Sequence, residues 1–149
     1  MQVNSKEQML DVGQILQIAA KNTKSPYPVE LLYATFLKEA QMKGKKMLRY
    51  GNTIYIIHAD PKNPRHGFFR ALNADTPDNF IESGFKFVVD AYKAGFDTII
   101  TQFTDQSLLN IFRVISRNPP NPQMGFKADK LQNGMYQVTL QLGPRRGVR

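Results

Sequence analysis

The sequence contains no cysteine, and histidine is almost as scarce, with two residues in 149. A chain without cysteine cannot form a disulfide, a thiolate metal site or a cysteine nucleophile. The two histidines, His58 and His66, are candidate general bases, but neither has a carboxylate or second ligand at a helpful spacing. We therefore expect both histidines to be structural or solvent-facing, and we expect no metal site.

Long apolar runs and recognisable catalytic motifs are missing as well. No stretch approaches the ~18 apolar residues of a membrane span, and the first residues do not resemble a signal-peptide core. Walker, dinucleotide-binding, zinc-finger and nucleophile-elbow patterns are also absent. The 149 residues are 42% hydrophobic, which predicts one domain over residues 1–143 with no membrane partner.

The chain carries a formal net charge of +8, and its basic residues form two clusters. No aromatic residue interleaves with either cluster, as a base-stacking platform would require. We predict that the clusters bind a protein partner or an assembly, with nucleic acid as the alternative and a solvated surface as the plainest interpretation. The first cluster comprises Lys43, Lys45, Lys46 and Arg49, and the second, in the predicted tail 144–149, comprises Arg145, Arg146 and Arg149.

Hydrophobic periodicity predicts four helices and seven short strands, in the order β-α-α-β-β-β-α-β-α-β-β. The predicted helices are Lys6–Lys21 with Ser5 as its cap, Pro28–Gly44, Asp78–Ala94, and a helix from Asp105 to Arg117. The predicted strands are Gln2–Asn4, Lys46–Tyr50, Thr53–Ala59, Gly67–Asn73, Asp97–Phe103, Gly125–Leu131 and Met135–Leu142. Gly51-Asn52 and Asn133-Gly134 indicate hairpin turns, and the two prolines of 60–64 predict a loop. Such an order predicts an α/β fold with a mixed sheet and helices on both faces.

This order of elements resembles the GCN5-related N-acetyltransferase (GNAT) fold over nearly the whole chain. Two local features add to the resemblance: Gly125-Phe126 opens the penultimate strand, and the Asn133-Gly134 turn precedes a strand that ends in Leu142-Gly143. The resemblance implies that acetyl-CoA would lie in a V-shaped split between the fourth and fifth predicted strands. Those strands are Gly67–Asn73 and Asp97–Phe103.

Two family features are altered in this sequence. The pyrophosphate motif Gln/Arg-x-x-Gly-x-Gly/Ala aligns with residues 79–84, where Asn79, Ser83 and Gly84 would be vestigial cofactor-binding residues and Glu82 replaces the middle glycine. A carboxylate at that point is expected to repel a pyrophosphate. The family's catalytic tyrosine, seven residues after the cap of the fourth helix, aligns with Phe112, which has no hydroxyl to act as a general acid.

These departures predict a non-catalytic GNAT-like protein with no catalytic residue and no cofactor. It would serve as a binding or structural component, such as a small phage virion or accessory protein, and would be located in the cytoplasm or the virion. The first alternative is an active acetyl-CoA-dependent N-acetyltransferase with an atypical pyrophosphate loop. The second is a basic nucleic-acid-binding accessory protein.

Overall fold

The computed structural model describes residues 9–119 and 123–143. They form the helices α1 (Val12–Asn22), α2 (Val29–Ala40), α3 (Pro77–Lys93) and α4 (Gln106–Arg117). They also form the strands β1 (Lys45–Tyr50), β2 (Thr53–Asp60), β3 (Asn63–Asn73), β4 (Thr98–Phe103), β5 (Gly125–Lys130) and β6 (Tyr136–Gln141). The strands make one sheet in the order β1-β2-β3-β4-β6-β5, in which only β3 and β4 are parallel. The predicted mixed α/β sheet is therefore confirmed.

The sheet has a hydrophobic core on each face. Helices α1 and α2 cover one face, where Ile15 and Phe36 pack on Ile54 and Ile56 of β2. Helices α3 and α4 cover the other face with a larger core, whose most buried members include Phe87, Ile99 and Val138. Because helices cover both faces of the sheet, the first five residues of β2 are all buried and β4 shows little alternation between buried and exposed residues.

Helix α1 begins later than the sequence predicts. Its N-cap is Asp11, whose carboxylate accepts from the Gln14 backbone N–H at 2.8 Å, while the Gln14 side chain accepts from the Asp11 N–H at 2.9 Å. This reciprocal pair is a capping box. It provides hydrogen-bond acceptors for the backbone N–H groups of Asp11 and Gln14, and it therefore begins the helix at this point. The predicted strand Gln2–Asn4 and the predicted cap Ser5 lie outside the described residues.

Helix α2 presents a different face to the sheet from the predicted one. The helical spacing of the apolar residues predicts that Tyr33, Leu37 and Ala40 share the inward face with Phe36, but all three are exposed. The buried positions are Phe36 and Glu39. The apolar periodicity predicted the wrong inward face because Glu39 is buried, where it pairs with Lys45 and Arg70 of the sheet.

Both predicted hairpin turns are confirmed, but the predicted loop at 60–64 is not. Gly51 and Gly134 adopt φ values of +60° and +84°, the left-handed conformation that such turns require. Strand β3 already begins at Asn63, so Pro64 lies within it. The register between β2 and β3 shifts at Ala59/Asp60, and Pro64 falls in this irregularity, where its missing N–H removes no ladder bond.

Strands β3 and β4 diverge soon after they meet. They pair only from His66 to Phe68 and from Thr98 to Ile100, although β3 continues to Asn73 and β4 to Phe103. The remainder of each strand is paired on its other side, with β2 and β6 respectively. The V-shaped split predicted between these strands is therefore present.

Candidate functional site

The split exposes backbone hydrogen-bonding groups in the middle of the sheet. The carbonyl of Arg65 accepts from the Asp97 N–H, so Arg65 directs its backbone toward β4. In a strand, the backbone N–H and C=O groups of every second residue point to the same neighbouring strand. The backbone groups of Gly67, Phe69 and Ala71 therefore also point toward β4. The ladder ends at the Phe68–Ile100 register, and the N–H of Ala71 therefore has no ladder partner in the described part of the chain. This amide can donate to a ligand that enters the split.

The split opens onto a cavity of about 350 Å³. Helices α1 and α2 form one wall, Arg70 to Asn73 of β3 form another, and the beginning of α4 completes it. Its apolar lining includes Leu16, Leu32, Phe36, Leu108 and Ile111. Cavities of roughly 300–1,000 Å³ with a largely apolar lining and a few polar groups are typical of small-molecule sites.

Two charged side chains line this cavity among the described residues, Arg70 and Asp105. Asp105 is the N-cap of α4, and its Oδ1 accepts from the Ser107 N–H at 2.9 Å. Its Oδ2 accepts no hydrogen bond from the residues that the structure describes. The cap therefore holds the carboxylate in place and leaves one oxygen available to a ligand.

Arg70 belongs to an ion-pair network with Glu39 and Lys45. Lys45 Nζ donates to Glu39 Oε2 at 2.9 Å, and the Arg70 guanidinium donates to Glu39 Oε1. Burial alone would raise the pKa of Glu39, but the Lys45 hydrogen bond and the Arg70 charge hold that pKa below its usual value. Glu39 is therefore ionised at neutral pH, and it fixes Arg70 at the rim of the cavity.

The beginning of α3 lies next to the end of β3, where the resemblance would place a pyrophosphate. Thr76 caps the helix and accepts from the Asn79 N–H at a long 3.4 Å, while the Asp75 carboxylate binds Asn52 and Thr53 instead. The helix start therefore offers the amide of Asp78, because Pro77 has no N–H and the Asn79 N–H donates to Thr76, while Asp75 points to the β1–β2 turn. The side chain of Asp78 is an acidic group at this exposed end.

The other residues of the aligned motif lie within the helix, away from its first turn. The Ser83 hydroxyl bonds to the Phe80 carbonyl and to the Tyr55 hydroxyl in the core. A Cβ on Gly84 would meet Ile115 Cδ1 at 3.0 Å, so the close packing of α3 against α4 favours glycine here. Glu82 is five residues into the helix, about 7.5 Å along its axis, and its side chain is 67% exposed beside Lys86. Glu82 therefore lies away from the helix start, where the resemblance would place the pyrophosphate.

Phe112 is a core residue of α4. Its ring is 7% exposed, stacks on Phe103 with centroids 5.5 Å apart, and meets Phe69 edge-on at 6.2 Å. It does not line the large cavity. Within the described residues, this part of α4 therefore presents no hydroxyl to the split.

The first basic cluster does not form one surface. Lys45 pairs with Glu39, whereas Lys46, one residue on in the same strand, points to the opposite face of the sheet. Arg49 donates to the carbonyls of Leu10 and Gly51, and so holds the segment before α1 against the sheet. Lys43 is exposed. The second cluster, Arg145, Arg146 and Arg149, lies outside the described residues, and partner binding by either cluster stays a prediction.

The two histidines lie away from the large cavity. His58 borders a second cavity of about 200 Å³ with Glu39, Lys45 and Arg70, and burial, aided by the Lys45 charge, lowers the pKa of its imidazole. His66 Nε2 lies 4.0 Å from Asp97 Oδ1, a carboxylate 31 residues away that sequence spacing could not reveal. The described residues contain no cluster of metal-ligating side chains and no helix suited to crossing a membrane.

No protein-family model and no curated protein matches this chain, but solved structures match it in fold. The ribosomal-protein-S18-alanine N-acetyltransferase from Escherichia coli is 8% identical and has a TM-score of 0.52, over 95% of this chain and 96% of that one. A mutant spermidine N-acetyltransferase from Vibrio cholerae is 9% identical with a TM-score of 0.50, over 89% of this chain and 92% of that one. The protein has the GNAT fold.

The comparisons also correct the predicted function. Both of these structures are N-acetyltransferases. The prediction of a non-catalytic binding or structural protein is wrong on this finding, and the alternative, an acetyl-CoA-dependent N-acetyltransferase, agrees better with it. At 8% and 9% identity these likenesses concern the fold alone. The phage origin and the cytoplasmic or virion location stay predictions.

Proposed function

We propose that this protein is an acetyl-CoA-dependent N-acetyltransferase with an atypical pyrophosphate loop. The observation that carries the proposal is the split between β3 and β4. The pairing of the two strands stops at Phe68–Ile100, and beyond that point the split opens onto the 350 Å³ cavity. A sheet loses ladder bonds where it splits in this way. An extended ligand that takes up the unpaired groups would compensate for that loss.

The residues at the split fit the arm of acetyl-CoA better than they fit its diphosphate. The Ala71 N–H and the apolar cavity lining suit an extended thioester arm, whose carbonyl would accept from that amide. The diphosphate would lie at the beginning of α3, against the amide of Asp78. There the chain offers no glycine, and Asp78 adds a negative charge. We therefore expect weaker binding of the diphosphate than a glycine-rich loop provides.

Asp105 is the residue that we assign to proton removal from the acceptor amine. Acetyl-CoA supplies an activated acyl group, and an amine must be neutral to attack it. Asp105 lines the cavity, and no described residue donates to its Oδ2, so this oxygen can accept a proton from an ammonium group directly or through one water. The leaving thiolate would take its proton from solvent, because Phe112 provides no hydroxyl at the position where related proteins have a tyrosine.

Calorimetry with acetyl-CoA and a thiol-release assay with a panel of amines would test this function. We expect acetyl-CoA to bind more tightly than 1 mM, which corresponds to about −4.1 kcal/mol, and free thiol to appear only when an amine is present. Absence of binding at millimolar acetyl-CoA would overturn the proposal. Desulfo-CoA serves as the control ligand, since it binds the same residues without reacting.

Asp105→Asn separates a chemical role from a structural one. Asparagine caps a helix about as well as aspartate, so the fold should be retained while kcat falls by about 10²- to 10⁴-fold. The matched control is Asp129→Asn, which removes an exposed carboxylate on β5 that pairs only loosely with Lys127. If Asp105→Asn retained the wild-type kcat and pH profile, the assignment of Asp105 would be refuted.

A further inference from the structure

The large cavity combines two opposite charges with an apolar wall. Arg70 comes from the middle of β3, and Asp105 comes from the loop before α4. They are the only charged side chains in the lining among the residues that the structure describes. A ligand that satisfies both needs an anionic and a cationic group together with apolar surface.

The network around Arg70 has an excess positive charge. One carboxylate, Glu39, is shared by two cations, Lys45 and Arg70, so one positive charge remains without an acidic partner. The side chain of Glu39 is only 12% exposed and cannot take a further donor easily, while the side chain of Arg70 is 48% exposed. A guanidinium carries five N–H donors, and Glu39 engages only part of them. Arg70, which lines the large cavity as well as the cavity beside His58, therefore has donors left for a second anion.

We propose that the acceptor is a free α-amino acid with an apolar side chain. Its carboxylate would bind Arg70 through paired charge-assisted hydrogen bonds, its amine would lie near Asp105, and its side chain would contact Leu32, Phe36 and Leu108. A simple amine would leave the excess charge of Arg70 unmatched. A polyamine would place several cations beside a single carboxylate and a guanidinium.

The inference rests on the proposed function and gives it a substrate class. In the reaction, the amino-acid nitrogen forms a bond to the acetyl carbonyl carbon and the carbon–sulfur bond of the thioester breaks. The ammonium nitrogen loses two protons: Asp105 receives the first and passes it to solvent, and the second is released to solvent as the amide forms. The thiolate takes one proton from solvent and leaves as CoA. The product is an N-acetyl amino acid, so no oxidant, reductant or further reactant is needed.

Three ligands that share one side chain test the carboxylate requirement: leucine, leucinamide and 3-methylbutylamine. Their binding to the protein is measured by NMR titration without acetyl-CoA, and their KM and kcat are measured with it. We expect leucine to bind about 10- to 100-fold more tightly than the other two, the effect typical of a charge-assisted hydrogen bond. Its kcat should change much less than its KM.

Arg70→Gln should abolish the preference for leucine, and Arg70→Lys should restore part of it, while Lys45 keeps Glu39 paired in both variants. Arg113→Gln is the matched control, because Arg113 is exposed on α4 and does not line the cavity. Equal acetylation of all three ligands would overturn the amino-acid proposal and leave the acetyltransferase function standing. Arg70-dependent binding of leucine without acetyl transfer would support the binding site and overturn the proposed function. Absence of leucine binding and of transfer would overturn both.

Discussion

Replacing Phe112 with alanine should destabilise the protein by about 3–5 kcal/mol, the usual cost of truncating a buried phenylalanine. The ring is 7% exposed and contacts Phe103 and Phe69, so truncation removes two aromatic contacts and leaves a cavity between α4 and the sheet. Domains of this size lose roughly 2–4 °C of Tm per kcal/mol, which predicts a decrease of about 6–20 °C. Urea unfolding monitored by circular dichroism measures the loss directly as a change in midpoint.

The neighbouring residue Val114 provides the matched control for this experiment. Val114 is 36% exposed on the same helix, so Val114→Ala should change the stability by no more than about 0.5 kcal/mol. Phe112→Tyr addresses catalysis, and it should give no increase in kcat because the ring lies in the core and not in the large cavity. A Phe112→Ala protein that melts within 2 °C of wild type, or a Phe112→Tyr protein that is faster, would refute the position of α4.

Two further substitutions test the ion-pair network and the aligned motif. Glu39→Gln should lower the free energy of unfolding by about 1–3 kcal/mol at neutral pH. Because the folded-state pKa of Glu39 is lowered, the stability that its carboxylate contributes is present above about pH 4.5 and is lost as the pH falls. The acid unfolding curves of wild type and variant should therefore converge. Curves that stay parallel would count against the pairing. Gly84→Ala places a methyl group 3.0 Å from Ile115 Cδ1, and Ile115 is a core residue at 3% exposure with little room to shift. We therefore expect an overpacking cost of about 1–3 kcal/mol, which outweighs the gain of about 1 kcal/mol from helix propensity. It should lower the urea midpoint without altering the Kd for acetyl-CoA, and an unchanged midpoint with weaker binding would show that Gly84 contacts the ligand.

Much of the fold was predictable because its elements are specified by local chemistry. Asp105 caps α4 through a hydrogen bond two residues away, and Asn133-Gly134 makes its turn within four residues. The helical periods of α3 and α4 likewise involve neighbours three and four positions apart. These local patterns predicted the order and type of the elements. That order in turn predicted the GNAT-like arrangement and the split between β3 and β4.

The beginning of α3 shows where alignment of a motif fails. Matching residues 79–84 to the family pattern placed Glu82 at the pyrophosphate site, but the helix begins at Pro77, where Thr76 caps it. The position of a residue in a helix depends on where the preceding strand ends and where the cap begins the helix. An alignment of motif residues contains neither of these points. Ser83 and Gly84 were selected by the same count, and their side of the helix faces Tyr55 and Ile115.

The amino-acid sequence by itself determined the helices, the hairpins and the mixed sheet, because these depend on residue type and on neighbours a few positions apart. It also showed that Phe112 stands where the family pattern has a tyrosine. Only the tertiary structure decided which charges meet. Arg70 and Glu39 are 31 residues apart, and Arg70 and Asp105 line one cavity from different elements. No local pattern encodes such pairs, because they arise when the sheet buries one face of α2 and the split leaves room beside β3. The candidate site is therefore a product of long-range packing, and its chemistry could not be derived from the order of residues alone.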